Sequence, residues 1–168
     1  MIIDTTQATF FDFRVTGHVH LVLERDNRVI DERSQSNLVM DNGRYYIANR
    51  IAYNSPLNGN GDASGIAKVG YMAIGTDPAN NTAVNLTALV AQTGTRASTT
   101  IVVAQNTVTY TGVFETNNGY GSIQEAGLFN DSTATTGSYN MLARTTFGII
   151  TKVQNSDKLT LTWTLTVS

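Results

Sequence analysis

Lys158-Leu-Thr-Leu-Thr-Trp-Thr-Leu-Thr-Val-Ser168 is the stretch whose reading decides the fold. Leu159, Leu161, Trp163, Leu165 and Val167 take every second place, and Lys158, Thr160, Thr162, Thr164 and Thr166 fill the gaps. A period of two sends one set to each face of an extended chain. Threonine is β-branched and suits a pleated, half-wet surface, so the run reads as a strand with an apolar inner face. Trp163, the only tryptophan, sits at the centre of that face and buries more area there than any neighbour. Leu161, Trp163 and Leu165 are the expected anchor of the core.

Working outward, the same alternation recurs at residues 13–24, where Val15, Gly17, Val19, Leu21 and Leu23 share a face. Arg25-Asp-Asn-Arg28 has turn chemistry, since Asx residues tolerate left-handed backbone. Residues 29–36 then return as the second strand of a hairpin. Asn37-Leu-Val39 is expected to leave the sheet. Asp41 reads as an N-cap before a short amphipathic helix over residues 43–53, with Tyr46, Ile47, Arg50 and Ile51 at helical spacing.

Residues 54–65 form a loop by composition. Residues 66–75 read as a central strand, and Thr76-Asp-Pro-Ala-Asn-Asn81 as a turn. Leu86, Leu89 and Val90 suggest one or two helical turns within 83–91. Strands are expected at 96–104 and 107–115 around Gln105-Asn106, then at 122–129 and 139–147, with connections at 131–138 and 148–157. The expected fold is mainly β: an antiparallel β-sandwich or barrel with one short helix and an N-terminal arm. The arm covers residues 1–12. A single domain covers 13–168, divided into a hairpin plus helix (13–53) and a β cassette (66–168).

Composition narrows the function. The 168 residues suit one domain. Only 14% are charged, against about a quarter in an average globular protein, and threonine and asparagine make up the difference. A net charge of −2 gives no electrostatic footprint for nucleic acid or an anionic membrane. Without cysteine, neither disulfides nor thiolate metal sites are available. Met1-Ile-Ile-Asp-Thr-Thr6 lacks the basic and apolar regions of a signal peptide. No apolar run approaches the ~20 residues of a spanning helix. The chain is therefore expected to be made, and either kept or assembled, in a cytoplasm.

Three constellations bear on chemistry. His18 and His20, the only histidines, project from one strand face with Glu24 and could chelate a metal. A complete site needs a further ligand, and a hydrophilic strand face is the favoured reading. The Gly59-Asn-Gly-Asp-Ala-Ser-Gly65 loop has neither the lysine of a phosphate cradle nor the acidic spacing of a calcium loop. Glu125 shares its strand face with Ile123, Gly127 and Phe129, and Arg144 lies between Leu142 and Thr146 on the following strand. A structural cross-strand ion pair accounts for both. No nucleophile elbow or triad can be assigned. The expectation is a protein without catalytic, cofactor-binding or metal-ligating residues.

The arm ends in Phe10-Phe11, and Phe13 begins the first strand. Adjacent phenylalanines of an extended chain point to opposite sides, so Phe10, Phe11 and Phe13 are expected to carry a partner-binding surface; the alternative is that Phe10 and Phe11 cap the bottom of the core. The arm's few apolar groups cannot offset the entropy of ordering it alone.

Taken together, Asn37-Leu-Val39, Gly43 with the helix, Tyr71-Met-Ala-Ile-Gly-Thr76, Ile123-Gln-Glu-Ala-Gly-Leu-Phe129, Met141-Leu-Ala-Arg144 and Leu159-Thr-Leu-Thr-Trp-Thr-Leu165 follow one another in this order. From about Asn37 onward the series resembles a family of small structural proteins of tailed bacteriophages, tail-fibre or decoration-like. The resemblance implies a β-rich, non-catalytic virion protein, a fold-level analogy for function. The sequence departs from a tail fibre in having no heptads, collagen-like segment or shaft repeat. A capsid cement or decoration protein that clamps neighbouring capsid subunits is therefore the first expectation. Its partner would be the major capsid protein or another virion protein, its oligomer a homotrimer, and its location the virion. The alternative is a tail-fibre or receptor-binding module recognising a host surface glycan, with Tyr53, Tyr120 and Tyr139 near loops for stacking on sugars. A β-barrel metal enzyme built on His18 and His20 is the third reading.

Overall fold

The computed structural model describes residues 14–52, 68–133 and 141–168. The strands are β1 (Val15–Arg25), β2 (Arg28–Ser36), β3 (Leu38–Val39), β4 (Tyr71–Gly75), β5 (Gln92–Ala104), β6 (Thr107–Phe114), β7 (Gly121–Phe129), β8 (Met141–Lys152) and β9 (Asp157–Val167), with one helix, α1 (Asp41–Ala52). All pairings are antiparallel, in the order β2-β1-β9-β6-β5-β4-β7-β8-β3. The mainly β, sandwich-or-barrel architecture expected from the sequence is the one observed.

One strand turns this sheet into two layers. The second half of β5 pairs with β6, from Thr99 opposite Gly112 to Ala104 opposite Thr107. Its first half pairs with β4, through Gln92, Thr93, Ala97 and Ser98. β5 therefore rounds the corner between a layer of β2, β1, β9 and β6 and a layer of β4, β7, β8 and β3. On the opposite side, side chains close the seam where a ladder is missing. Gln35 donates to the Thr145 hydroxyl and the Thr146 carbonyl, both at 2.6 Å. Arg33 reaches the Ile149 carbonyl at 3.3 Å. β2 thus covers carbonyls that an edge strand would otherwise leave open to pairing.

β9 lies between β1 and β6, with Trp163 opposite Val19 on one side and Tyr110 on the other. Leu159, Leu161 and Trp163 are fully buried. The intervening threonines face outward beside Thr109 and Thr111, and the Thr109 and Thr164 hydroxyls lie 3.4 Å apart. Leu165 is only half-buried, contrary to its place in the expected anchor. Alternation identified its face correctly, and it packs at the margin of the core cluster, as Tyr46 and Val108 do.

The Asp26-Asn27 turn joins β1 to β2 with both residues at positive φ, 50° and 59°. That mirror-image turn matches the twist of the two strands. Asn37-Leu-Val39, expected to leave the sheet, instead crosses to the other layer. There Leu38 and Val39 pair with Arg144 and Ala143 of β8, which satisfies backbone groups that burial would otherwise leave unpaired. α1 follows at once. The Arg44 N–H donates to the Met40 carbonyl at 3.1 Å, so buried Met40, and not Asp41, holds the capping position. Asp41 lies in the first turn, where the helix dipole favours an acid. At Gly43 a side chain would run into the Leu142 backbone, so glycine lets the helix settle on β8.

Three other expectations change. The described central strand begins at Tyr71, although Gly70 still donates to Phe129 at 3.0 Å. No helix forms over residues 83–91; Leu86 and Leu89 instead pack over a second cluster with Met40, Ala73, Phe129 and Met141. β8 runs on to Lys152, through residues expected to be a connection. Its pairing with β7 shifts register between Ile123 and Glu125, an irregularity that simple alternation does not foresee.

Candidate docking groove at the open end of the barrel

Glu125 and Arg144 meet on the outside of the second layer, beneath the 76–91 segment. Arg144 donates from Nε and Nη2 to Glu125 Oε2 at 2.9 and 2.8 Å. Both side chains are essentially inaccessible, 0% and 2% exposed. Glu125 also accepts the Val90 and Ala91 N–H groups at 3.2 and 2.9 Å. Arg144 reaches the Ala79 and Asn80 carbonyls at 2.9 and 3.1 Å. These bonds replace helical hydrogen bonding across the segment and tie it to the sheet. Ile123, expected on the Glu125 face, packs in the interior cluster; Glu125, Gly127 and Phe129 remain on the segment side.

A second buried carboxylate had no clear sequence signal. Asp157 accepts a bidentate contact from Arg25 at 2.6 and 2.9 Å, the Val153 N–H at 2.8 Å and the Ser156 hydroxyl at 2.8 Å. The Arg25 hydrogen bond, above all, holds its carboxyl well below the usual range. The group locks the ends of β1 and β9 together. Nearby, the buried Lys152 ammonium donates to the Glu115 carbonyl at 2.9 Å, and burial lowers its pKa. Arg96 stacks 3.7 Å over the Phe129 ring and donates to the Asp131 carbonyl at 3.0 Å. Each is bound to the scaffold by its own partners.

The histidines do not assemble a site with Glu24. His20 bonds Glu32 at 2.8 Å, while Glu24 pairs with Lys158 at 2.9 Å. Among the described residues, no group of three His, Cys, Asp or Glu side chains could hold a metal ion. No described helix is long and apolar enough to cross a membrane. Tyr120 is exposed; Tyr53 and Tyr139 lie outside the described residues, as do Phe10, Phe11 and Phe13.

The accessible concavity lies where β1 and β6 begin and β5 and β9 end. Val15, Val108, Tyr110, Leu165 and Val167 form one wall, with Val39, Tyr46, Ile47, Val69 and Leu142 across from them, around about 350 Å³. This falls at the small end of the roughly 300–1,000 Å³ range of ligand pockets. Val15, Val39 and Ile47 also line an outer, more polar recess of about 670 Å³, with Arg14, Arg44, Ser36 and Asn37 at its rim. The two therefore form one groove with an apolar depth and a basic mouth.

The apolar wall continues outward. Ile101 and Val103 stand opposite Tyr110 and Val108, so they share that face, yet are 38% and 70% exposed. Both polar atoms of the Asn37 side chain are buried without a hydrogen-bond partner among the described residues. Such an atom costs about 1–3 kcal/mol until something pairs with it. Sequence reading missed the groove because its residues look like ordinary inward positions. Comparison with family models, with curated proteins and with solved structures finds no match for this chain.

Proposed function

We propose that this chain is a non-enzymatic structural protein of a tailed-phage virion, a capsid cement protein that clamps neighbouring capsid subunits. The observation that carries the reading is the groove continuing onto the exposed Ile101 and Val103 of the β5–β6 hairpin. An apolar face left open among the described residues suits occupation by another protein. The buried ionic groups support it as well: Glu125, Arg144 and Asp157 hold loops and strand ends in place. The phage-like series of motifs from Asn37 onward supplies the setting, with the major capsid protein or another virion protein as partner. Neither nucleic acid nor membrane is part of this reading.

The test uses particles assembled without the protein. Such particles should open at lower temperature than complete ones, and adding the purified full chain should restore their resistance. Particles equally resistant with and without it would contradict the reading.

A further inference from the structure

We infer that Asn118-Gly119 is a latent deamidation site. The folded chain holds it unreacted through Thr95, and opening of the loop between β6 and β7 lets it convert, once, to a form that cannot clamp Thr95 again. Nothing in this chemistry depends on the cement reading.

The pair arises from what this corner of the fold requires. Asn118 Oδ1 accepts the Thr95 N–H at 2.8 Å and the Thr95 hydroxyl at 3.2 Å. Its Nδ2 donates to the Thr95 carbonyl at 3.1 Å. One side chain thus pairs both backbone groups of Thr95, as a neighbouring strand would. Gly119, at φ 62°, packs so closely that a side chain there would meet Ile74 and the Thr93 carbonyl. A side chain at Gly94, at φ 68°, would run into Asn118 and Gly119. The clamp therefore needs asparagine at 118, and the close approach needs glycine at 119. Asparagine is thermolabile, most of all before glycine, where no side chain hinders the attacking nitrogen.

In that reaction the Gly119 nitrogen loses its proton and bonds to Asn118 Cγ, and the Cγ–Nδ2 bond breaks to release ammonia. Water then opens the succinimide at either carbonyl, leaving aspartate or isoaspartate. The folded geometry opposes the first step twice. Nδ2 is the leaving group, and Cγ must leave the plane in which its amide meets Thr95. Ring closure would also move the buried Gly119 backbone from its place against Gly94 and Ile74. Conversion therefore draws on molecules whose loop has opened, a local event for a segment with Glu115, Asn117 and Tyr120 exposed. The product has lost the Nδ2 donor, so an oxygen faces the Thr95 carbonyl. Isoaspartate also adds a methylene to the main chain of the turn in which the Asn118 N–H donates to the Glu115 carbonyl at 2.9 Å. Either product leaves Thr95 unclamped.

Peptide mapping by mass spectrometry tests this on the full chain, incubated in mildly alkaline buffer with and without denaturing urea. Asn58 and Asn60, also followed by glycine but outside the described residues, are read separately in the same digests. Asn118 should convert at least about tenfold more slowly in the folded chain than in urea. This comparison needs no variant to fold. Thr95→Val, which removes the hydroxyl contact, should speed conversion in buffer and leave the rate in urea unchanged. Asn118→Asp, one of the two products, should unfold at lower urea than wild type. A folded rate equal to the rate in urea, or one indifferent to Thr95→Val, overturns the proposal. So does an unchanged urea midpoint for Asn118→Asp.

Discussion

One oxygen of Glu125 accepts both the Nε and the Nη2 of Arg144, at 2.9 and 2.8 Å, beneath a loop that neither residue belongs to. Deleting one partner leaves a buried charge without its counterion, and frees the Val90 and Ala91 N–H groups or the Ala79 and Asn80 carbonyls. Glu125→Ala or Arg144→Ala should each cost about 3–5 kcal/mol. The double change Glu125→Leu with Arg144→Met should cost less than the two single losses combined. Urea midpoints of the three variants check this, and independent, additive losses would contradict it.

Asp157 gives the fold a defined sensitivity to acid. Its carboxyl is held below the ordinary range, first by the Arg25 hydrogen bond. A depressed folded pKa contributes stability that is complete above the unfolded value of about 3.9 and is lost as pH falls towards the folded value. The protein should therefore weaken as pH drops below about 4. Asp157→Asn should be less stable than wild type near neutrality and lose less on acidification. Urea midpoints at neutral and acid pH for both proteins decide it; parallel losses would show that Asp157 is not the source.

Trp163 is fully buried between Val19 and Tyr110, and its indole N–H has no acceptor among the described residues. Trp163→Ala should cost about 3–5 kcal/mol. Trp163→Phe should cost much less, because it removes an unpaired donor along with the lost volume. As the only tryptophan, it should emit at short wavelength in the folded protein and shift to the red on unfolding. Emission already typical of water before denaturant is added would contradict its burial.

Gly43 positions one wall of the groove. Any side chain there meets the Leu142 backbone, which cannot yield as a flexible side chain can. Gly43→Val should lift α1 from β8 and cost about 1–3 kcal/mol. In methyl NMR, the larger shifts should fall on Val39, Leu142 and Leu165 and the smaller on Leu21 and Leu161. A reversed pattern would mean that α1 does not rest on this glycine.

Much of the β framework was legible because alternation is a local property. Leu159, Leu161 and Trp163 announce β9, and Asp26-Asn27 announces the hairpin. The cross-strand position of Glu125 and Arg144 was legible for a related reason: ions on mainly apolar strands require partners. The 76–91 segment was not. Leu86 and Leu89 have helical spacing, but their backbone is fixed by two side chains distant in sequence. The groove was hidden for another reason. Val15, Leu165 and Val167 alternate like the residues beside them, and only the assembled layers show that they line a concavity among the described residues. His18, His20 and Glu24 share a strand, and residues of neighbouring strands, Glu32 and Lys158, pair with His20 and Glu24.

The central claim is that this chain is a cement protein on a phage capsid, and mapping it on intact particles tests that most directly. Particles carrying a tagged full chain should show the tag at regular sites over the whole head, clustered where capsid subunits meet and present in many copies. A tag confined to the tail, or absent from purified particles, would contradict the account.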